Sequence, residues 1–151
     1  MENYTSKEQI ISKAIQLQLK GNISEASKYY MQLINEGCND ERLFSNYGAI
    51  LKDLGKLKEA EFYAKKAIEI NPLCEGSHVN LGIILRDQGK LNEAEFYTRE
   101  AIKINPDYAM AYSNLGNIFK DLGKFKKSEI SYRKAIEINP KYAKAYSNLG
   151  G

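Results

Sequence analysis

Histidine, cysteine and proline are scarce in this chain: its 151 residues hold one histidine, two cysteines and three prolines. No nucleophile or acid recurs beside the single histidine, His78, so a packed ring is expected there rather than a catalytic base. Cys38 and Cys74 have no second Cys or His at metal-ligand spacing, which argues against a thiolate metal site and makes free thiols the expectation. No apolar run approaches the ~20 residues of a membrane-spanning helix. The opening stretch, MENYTSKEQ, lacks the basic and apolar regions of a secretory signal. A soluble, cytoplasmic protein is the expectation. Without a signal, Asn3-Tyr4-Thr5 and Asn22-Ile23-Ser24 are chance matches to the glycosylation sequon, and Ser24 is expected to serve as an N-cap. Gly-Lys pairs follow the hairpin glycines, yet neither GxGxxG nor GxxxxGK followed by Ser or Thr is present, so there is no phosphate cradle and no cofactor is called for. Neither sign of charge dominates: 22 Lys and Arg stand against 19 Asp and Glu, for a net charge of +3. The cations recur along the chain instead of forming one basic block, so neither nucleic acid nor membrane is expected as a partner.

What the chain does have is a period. KAIEINP at 66–72, EAIKINP at 100–106 and KAIEINP at 134–140 are 34 residues apart, and Gly21, Gly55, Gly89 and Gly123 keep the same step. A strict period of this length marks stacked helical hairpins. Such units build long surfaces more readily than closed pockets, so binding is expected before catalysis. With 43% apolar and 27% charged residues the chain can form a core. The clear units are 41–74, 75–108 and 109–142. In each, helix A should cover about the first fourteen positions and helix B about positions 18 to 30. The glycine at position 15 supplies the tight reversal between them. Asn-Pro at 71–72, 105–106 and 139–140 then stops helix B, because proline restricts the residue before it and cannot donate to the preceding turn.

Helix A carries Phe44, His78 or Tyr112 at position 4, Tyr47, Leu81 or Leu115 at 7, Gly48, Gly82 or Gly116 at 8, and Leu51, Leu85 or Phe119 at 11. At about 100° per residue these fall in one arc of roughly 100° that should face the core. A glycine inside a helix costs about 1 kcal/mol relative to alanine, so its recurrence at position 8 points to a close approach by helix B. Helix B answers with Ala60, Ala94 or Ser128 at position 20 and Ala67, Ala101 or Ala135 at 27. These residues resemble the tetratricopeptide repeat (TPR) family, whose 34-residue hairpin has large residues at 4, 7 and 11, small ones at 8, 20 and 27, and proline at 32. The resemblance covers residues 7–151 and implies an all-α, right-handed α-solenoid of antiparallel helix-turn-helix repeats. One departure is local: position 24, aromatic in the family, is Ala64 and Thr98 in two units, with Tyr63 and Tyr97 one place earlier. The whole chain, 1–151, reads as a single TPR array. In it 7–40 form a divergent capping repeat, and 143–151 restart a further helix A with Tyr146, Leu149 and Gly150 in phase. The chain is therefore expected to be a fragment of a longer protein.

Opposite the core stripe lie positions 2, 6, 9 and 13, which by the resemblance line a concave binding face. Position 6 is Asn46, Asn80, Asn114 and Asn148, an asparagine in every clear unit, and position 9 adds Asn117. A carboxamide donates and accepts at once, so a column of them could grip the backbone of an extended peptide; the alternative is a set of hydrogen bonds between adjacent helices. The column resembles the asparagine ladder in the TPR region of O-GlcNAc transferases, which implies substrate threading. Position 13 adds Asp53, Asp87 and Asp121, and position 12 adds Lys52, Arg86 and Lys120. A carboxylate clamp for chaperone C-termini is not expected, since position 5 is Ser45, Val79 and Ser113. The function expected is therefore a non-catalytic protein- or peptide-binding scaffold. Two alternatives stand beside it: the substrate-recruiting arm of a larger enzyme such as a glycosyltransferase, and self-association through the C-terminal end.

Overall fold

The computed structural model describes residues 2–142 together with 147 and 149, with side chains described from residue 7 onward. Among the described residues the chain is all helix: α1 (Glu2–Leu19), α2 (Ile23–Asn35), α3 (Glu41–Asp53), α4 (Leu57–Ile70), α5 (Glu75–Asp87), α6 (Leu91–Ile104), α7 (Ala109–Asp121) and α8 (Phe125–Ile138). Odd-numbered helices are the A helices of successive hairpins and even-numbered ones the B helices. The chain divides into two compact units, residues 1–72 and 73–151, each built from two hairpins.

The turns follow from backbone chemistry. Gly55 takes φ +79°, and its N–H donates to the Lys52 carbonyl at 2.9 Å while the Lys56 N–H reaches back to Leu51 at 2.8 Å. That paired bonding satisfies two orphan carbonyls at the end of α3 and needs a left-handed residue, which glycine adopts without a Cβ penalty. The same pattern closes α1, α5 and α7. The clear B helices stop differently. Asn105 leaves helical geometry at φ −135°, and its side-chain Oδ1 accepts from the Asp107 N–H at 3.0 Å, an Asx turn that carries the chain over Pro106 into α7.

Two sequence expectations are corrected here, the N-cap of α2 and the start of α1, and the end of the first repeat is explained. Ser24 is not the N-cap of α2: Asn22 holds that place, and its side chain donates to Glu25 at 3.0 Å instead of capping the helix. The first repeat has no proline at its end because Gly37, at φ +78°, does the work; the Cys38 N–H bonds the Leu33 carbonyl at 2.9 Å. Helix α1 begins at Glu2, five residues before the expected first position. Both cysteines are free thiols.

Gly48, Gly82 and Gly116 sit where the two helices of their own hairpin close on each other. A Cβ on Gly48 would lie 3.3 Å from the Ala60 carbonyl, and one on Gly82 only 2.5 Å from Thr98 Oγ1 and 3.3 Å from the Ala94 carbonyl. On Gly116 it would run into the ring of Tyr132. The departure at position 24 is now explained by what covers each glycine. Tyr132 lays its ring over Gly116, whereas in the other two hairpins the smaller Ala64 and Thr98 stand there. Tyr63 then packs along α3, stacked 6.0 Å from Phe44 and edge-on 5.0 Å from Tyr47. Tyr97 lies 6.3 Å from the His78 ring. His78 is 6% exposed with Nδ1 2.9 Å from the Cys74 carbonyl, a packed ring as its surroundings require.

The A helices bury more than the single stripe anticipated. Positions 3 and 10, on a flank roughly 100° from that stripe, are also closed to solvent: Leu43 and Ile50, Ser77 and Ile84, Ala111 and Ile118 are each at most 1% exposed. Within the 73–151 unit, α7 packs on both α5 and α6. Val79, Ala101 and Ala111 form one core cluster there, with Ile83, Ile102 and Tyr108 against it. Within their own units α3 and α7 each meet their own B helix on one side and the preceding B helix on another, so each has two buried flanks.

In the 1–72 unit one N-terminal cap is strongly tied. Asp40 caps α3 by accepting from the Arg42 N–H at 2.9 Å. Arg42 also donates to Asp40 and grips Glu8 of α1 with two bonds of 2.8 and 2.9 Å. The Arg42 guanidinium holds both carboxyls below the ordinary carboxylate range. A depressed folded-state pKa adds stability above the unfolded value and loses it as pH falls through the folded one. Asp40→Ala should therefore cost about 1 kcal/mol near neutrality, the usual value of such a cap. In urea denaturation the gap between the variant and the parent protein should close as pH drops below ~4.

Candidate functional site: the amide face of the A helices

The candidate face is built from positions 6, 9, 12 and 13 of each A helix. In the 1–72 unit α3 places Asn46, Lys52 and Asp53 on it. Asn46 is half-buried and hydrogen-bonds the hydroxyl of Tyr30 on α2. Tyr30 is fully buried, its own proton going to Gln18 Oε1 at 2.8 Å. Burial pushes that phenol up to about 12, against the opposing pull of the Asn46 bond. Lys52 lies 3.2 Å from the carboxylate of its neighbour Asp53, which is exposed.

In the 73–151 unit α5 supplies Asn80, Arg86 and Asp87, and α7 supplies Asn114, Asn117, Lys120 and Asp121. Asn114 is 3% exposed. Its Nδ2 donates to Thr98 Oγ1 at 2.9 Å, and the Thr98 hydroxyl donates in turn to the Ala94 carbonyl at 2.7 Å. Since the threonine proton is already committed, Asn114 must present its NH₂ to Thr98, and this fixes its orientation. Its Oδ1 is left buried with no hydrogen-bond partner among the described residues. Position 6 lies about 40° from position 10, at the edge of the second buried flank, which accounts for the depth of this side chain. Asn80 and Asn117 are half-buried. Asn117 Oδ1 accepts from the Tyr132 hydroxyl at 2.6 Å.

The charged positions are also linked. Arg86 Nε of α5 donates to Asp121 Oδ2 of α7 at 2.6 Å, joining position 12 of one repeat to position 13 of the next. Asp87 and Lys120 are exposed. The structure thus brings together Arg86 with Asp121 and Asn114 with Thr98, and it sets Asn117 on Tyr132. Asn148, Tyr146 and Gly150 lie outside the described residues; the backbone at Leu149 is helical.

The sequence reading missed the partners of these amides. All three are hydroxyls at position 24 of a B helix: Tyr30, Thr98 and Tyr132. The signal that could have revealed them is that column itself, read as Tyr30, Ala64, Thr98 and Tyr132, with a hydroxyl in three of its four places. Among the described residues no group of three or more His, Cys, Asp or Glu side chains is placed to hold a metal ion. None of their helices is long and apolar enough to cross a membrane.

This hairpin geometry is that of tetratricopeptide-repeat proteins, and solved structures of the class superpose on it. The structure of YrrB, a TPR protein with an unusual peptide-binding site, matches with TM-score 0.79 and 24% identity, covering 91% of this chain and 71% of that one. PilF of Pseudomonas aeruginosa matches with TM-score 0.86 and 15% identity over 99% of this chain and 68% of its own. The first TPR of Spaghetti (RPAP3), bound to the HSP90 peptide SRMEEVD, matches with TM-score 0.69 and 22% identity over 74% and 88%. At these identities the likeness establishes the fold. The chain belongs to the family described as the cilia and flagella-associated protein 70 middle TPR-like domain, whose model matches residues 13–137. No curated protein matches it.

Proposed function

We propose that the chain is a protein- or peptide-binding scaffold, and that the A-helix face of its hairpins holds an extended polypeptide largely through its backbone. The observation that carries this reading is the state of Asn114: its donor is committed to Thr98, and its acceptor has no partner among the described residues. An acceptor buried without a donor costs about 1–3 kcal/mol, and a ligand whose binding opens this edge of α7 to a peptide N–H recovers that cost. Asn46 is oriented in the same way by Tyr30, so the carboxamides are fixed before any ligand arrives. Recognition of backbone groups by neutral amides is indifferent to the ligand's side chains, which suits a scaffold. YrrB has an unusual peptide-binding site and the first RPAP3 TPR binds the HSP90 peptide SRMEEVD, which supports a peptide as the ligand here.

A second reading has its own observation. The 2.9 Å bond from Asn114 to Thr98 joins α7 to the preceding hairpin, so the asparagines also act as struts between repeats. Titration with an uncharged, extended polypeptide, followed by backbone amide shifts, separates ligand contact from bracing. Shifts centred on 80, 83, 114 and 117 are expected. Shifts confined to the B helices would remove the A-helix face from the proposal.

A further inference from the structure

Position 22, on the outer side of the B helices, carries an exposed apolar side chain in each clear repeat: Phe62 at 55%, Phe96 at 56% and Ile130 at 67% exposure. What differs is the charge around it. The helical neighbours of Phe96 at three and four residues are Asn92, Glu93, Arg99 and Glu100, and those of Phe62 are Lys58, Glu59, Lys65 and Lys66. Around Ile130 all four are cations: Lys126, Lys127, Arg133 and Lys134. Residues 124–141 hold six Lys and Arg against two Glu, a net +4, whereas the whole chain carries +3, so the remaining residues sum to −1. The expectation that the cations are spread evenly along the repeats is therefore corrected: the positive excess sits on α8 and its flanks. Glu129 and Glu137 are each paired with a cation of the same helix, Arg133 at 2.9 Å and Lys134 at 3.5 Å. Neither Lys124 nor Lys126 has a carboxylate partner among the described residues. Five residues before Ile130, and about 140° around the helix from it, Phe125 is 69% exposed and borders a cleft of about 380 Å³ shared with Lys120 and Arg133.

We propose that α8 is a second docking surface, distinct from the A-helix face, for an acidic polypeptide segment that carries apolar side chains. The charge complementarity is specific to this hairpin. An isolated basic patch would attract any polyanion, but Ile130 contributes only when the partner offers apolar area to bury against it. A carboxylate on either side of a leucine or phenylalanine would meet Lys126 and Lys127 one turn before Ile130 and Arg133 and Lys134 one turn after it, since residues three and four apart share a helix face. The surface is available irrespective of what the A helices hold, so it does not rest on the function proposed above.

The probe is a labelled peptide of about twelve residues alternating glutamate with leucine, titrated by fluorescence anisotropy and mapped by backbone amide shifts. Shifts over 125–134 are expected, with binding that weakens progressively as salt rises from about 50 to about 500 mM. Ile130→Ser should weaken binding about tenfold, from the loss of one buried aliphatic side chain. Ile130 is mostly exposed, so a melting curve that overlays the parent's verifies that the variant is folded. Replacing both Lys126 and Lys127 by Glu should abolish binding, and a peptide with glutamine in place of glutamate should not bind. Shifts on the A helices, or an Ile130→Ser affinity equal to the parent's, would overturn the proposal. So would a short DNA duplex or phosphatidylserine vesicles engaging α8 where the peptide does not, because the occupant would then be a polyanion of another class.

Discussion

Gly82→Leu should lower the stability of the chain by about 3 kcal/mol, the upper end of what overpacking in a core costs. Leucine restores helix propensity at this place, worth about 1 kcal/mol relative to glycine. The contacts outweigh it. The first carbon added falls 2.5 Å from Thr98 Oγ1, 3.2 Å from Asn114 Nδ2 and 3.3 Å from the Ala94 carbonyl. Two of these atoms belong to the hydrogen-bonded chain that ties α7 to α6, and the third is backbone, so none can give way without breaking a bond or separating the helices. Gly48→Ala is the informative contrast. Its nearest atoms are the Ala60 carbonyl at 3.3 Å and the Ala64 nitrogen at 3.5 Å, a tight but tolerable fit that the propensity gain largely offsets. Chemical denaturation of the two variants should give a large shift for the first and a small one for the second. An unchanged midpoint for Gly82→Leu would mean that the two helices do not close at this glycine.

The hairpins were legible in the sequence because their causes are local and repeated. A glycine at position 15 and an Asn-Pro at 31 and 32 each act within one turn of chain, so Gly55, Gly89 and Gly123 could be read as helix ends without knowing any neighbour. Gly37 was not, since it breaks the period: the first repeat ends on a left-handed glycine where the others end on Asn-Pro, and a reader tracking proline sees only a gap. The second buried flank, Ile50 and Ile118 among it, escaped for a different reason. A hydrophobic stripe reports burial against one partner, whereas an A helix has two, and the second belongs to the preceding hairpin. The candidate site was half legible. The asparagine column is visible at a glance, but its hydrogen bonds run to hydroxyls that the fold alone brings near: Thr98 is 16 residues before Asn114, and Tyr30 is likewise on the helix before Asn46. Spacing along the chain carries no trace of such a pair until the helix packing is known. Position 24 had been noticed only as a lapse from the family's aromatic, when in Thr98 it is the partner of Asn114.

Replacing Asn46, Asn80 and Asn114 together with alanine should weaken the binding of an extended polypeptide by roughly one to three decades. Each neutral hydrogen bond contributes on the order of 0.5 to 1.5 kcal/mol, and three of them span that range if they add. The loss should be similar for peptides of different sequence and nearly independent of salt, since the gripping groups carry no charge. Stability is the second readout, and here opposing effects meet. Alanine is the better helix former by a few tenths of a kcal/mol or more at each place. Removing Asn114 also relieves the cost of a buried oxygen without a partner, yet it deprives Thr98 of a donor and α7 of its tie to α6. A melt within a few degrees of the parent protein, combined with the affinity loss, is the result that makes the amides ligand contacts. The opposite combination, unchanged affinity with an earlier melt, would make them struts. Recognition would then have to come from Lys52, Arg86 and Lys120 with Asp53, Asp87 and Asp121. Arg86 and Asp121 are already joined at 2.6 Å, so that face would engage a charged ligand only by opening this pair. Its binding would weaken as salt is added, which distinguishes it from an amide grip in the same titration.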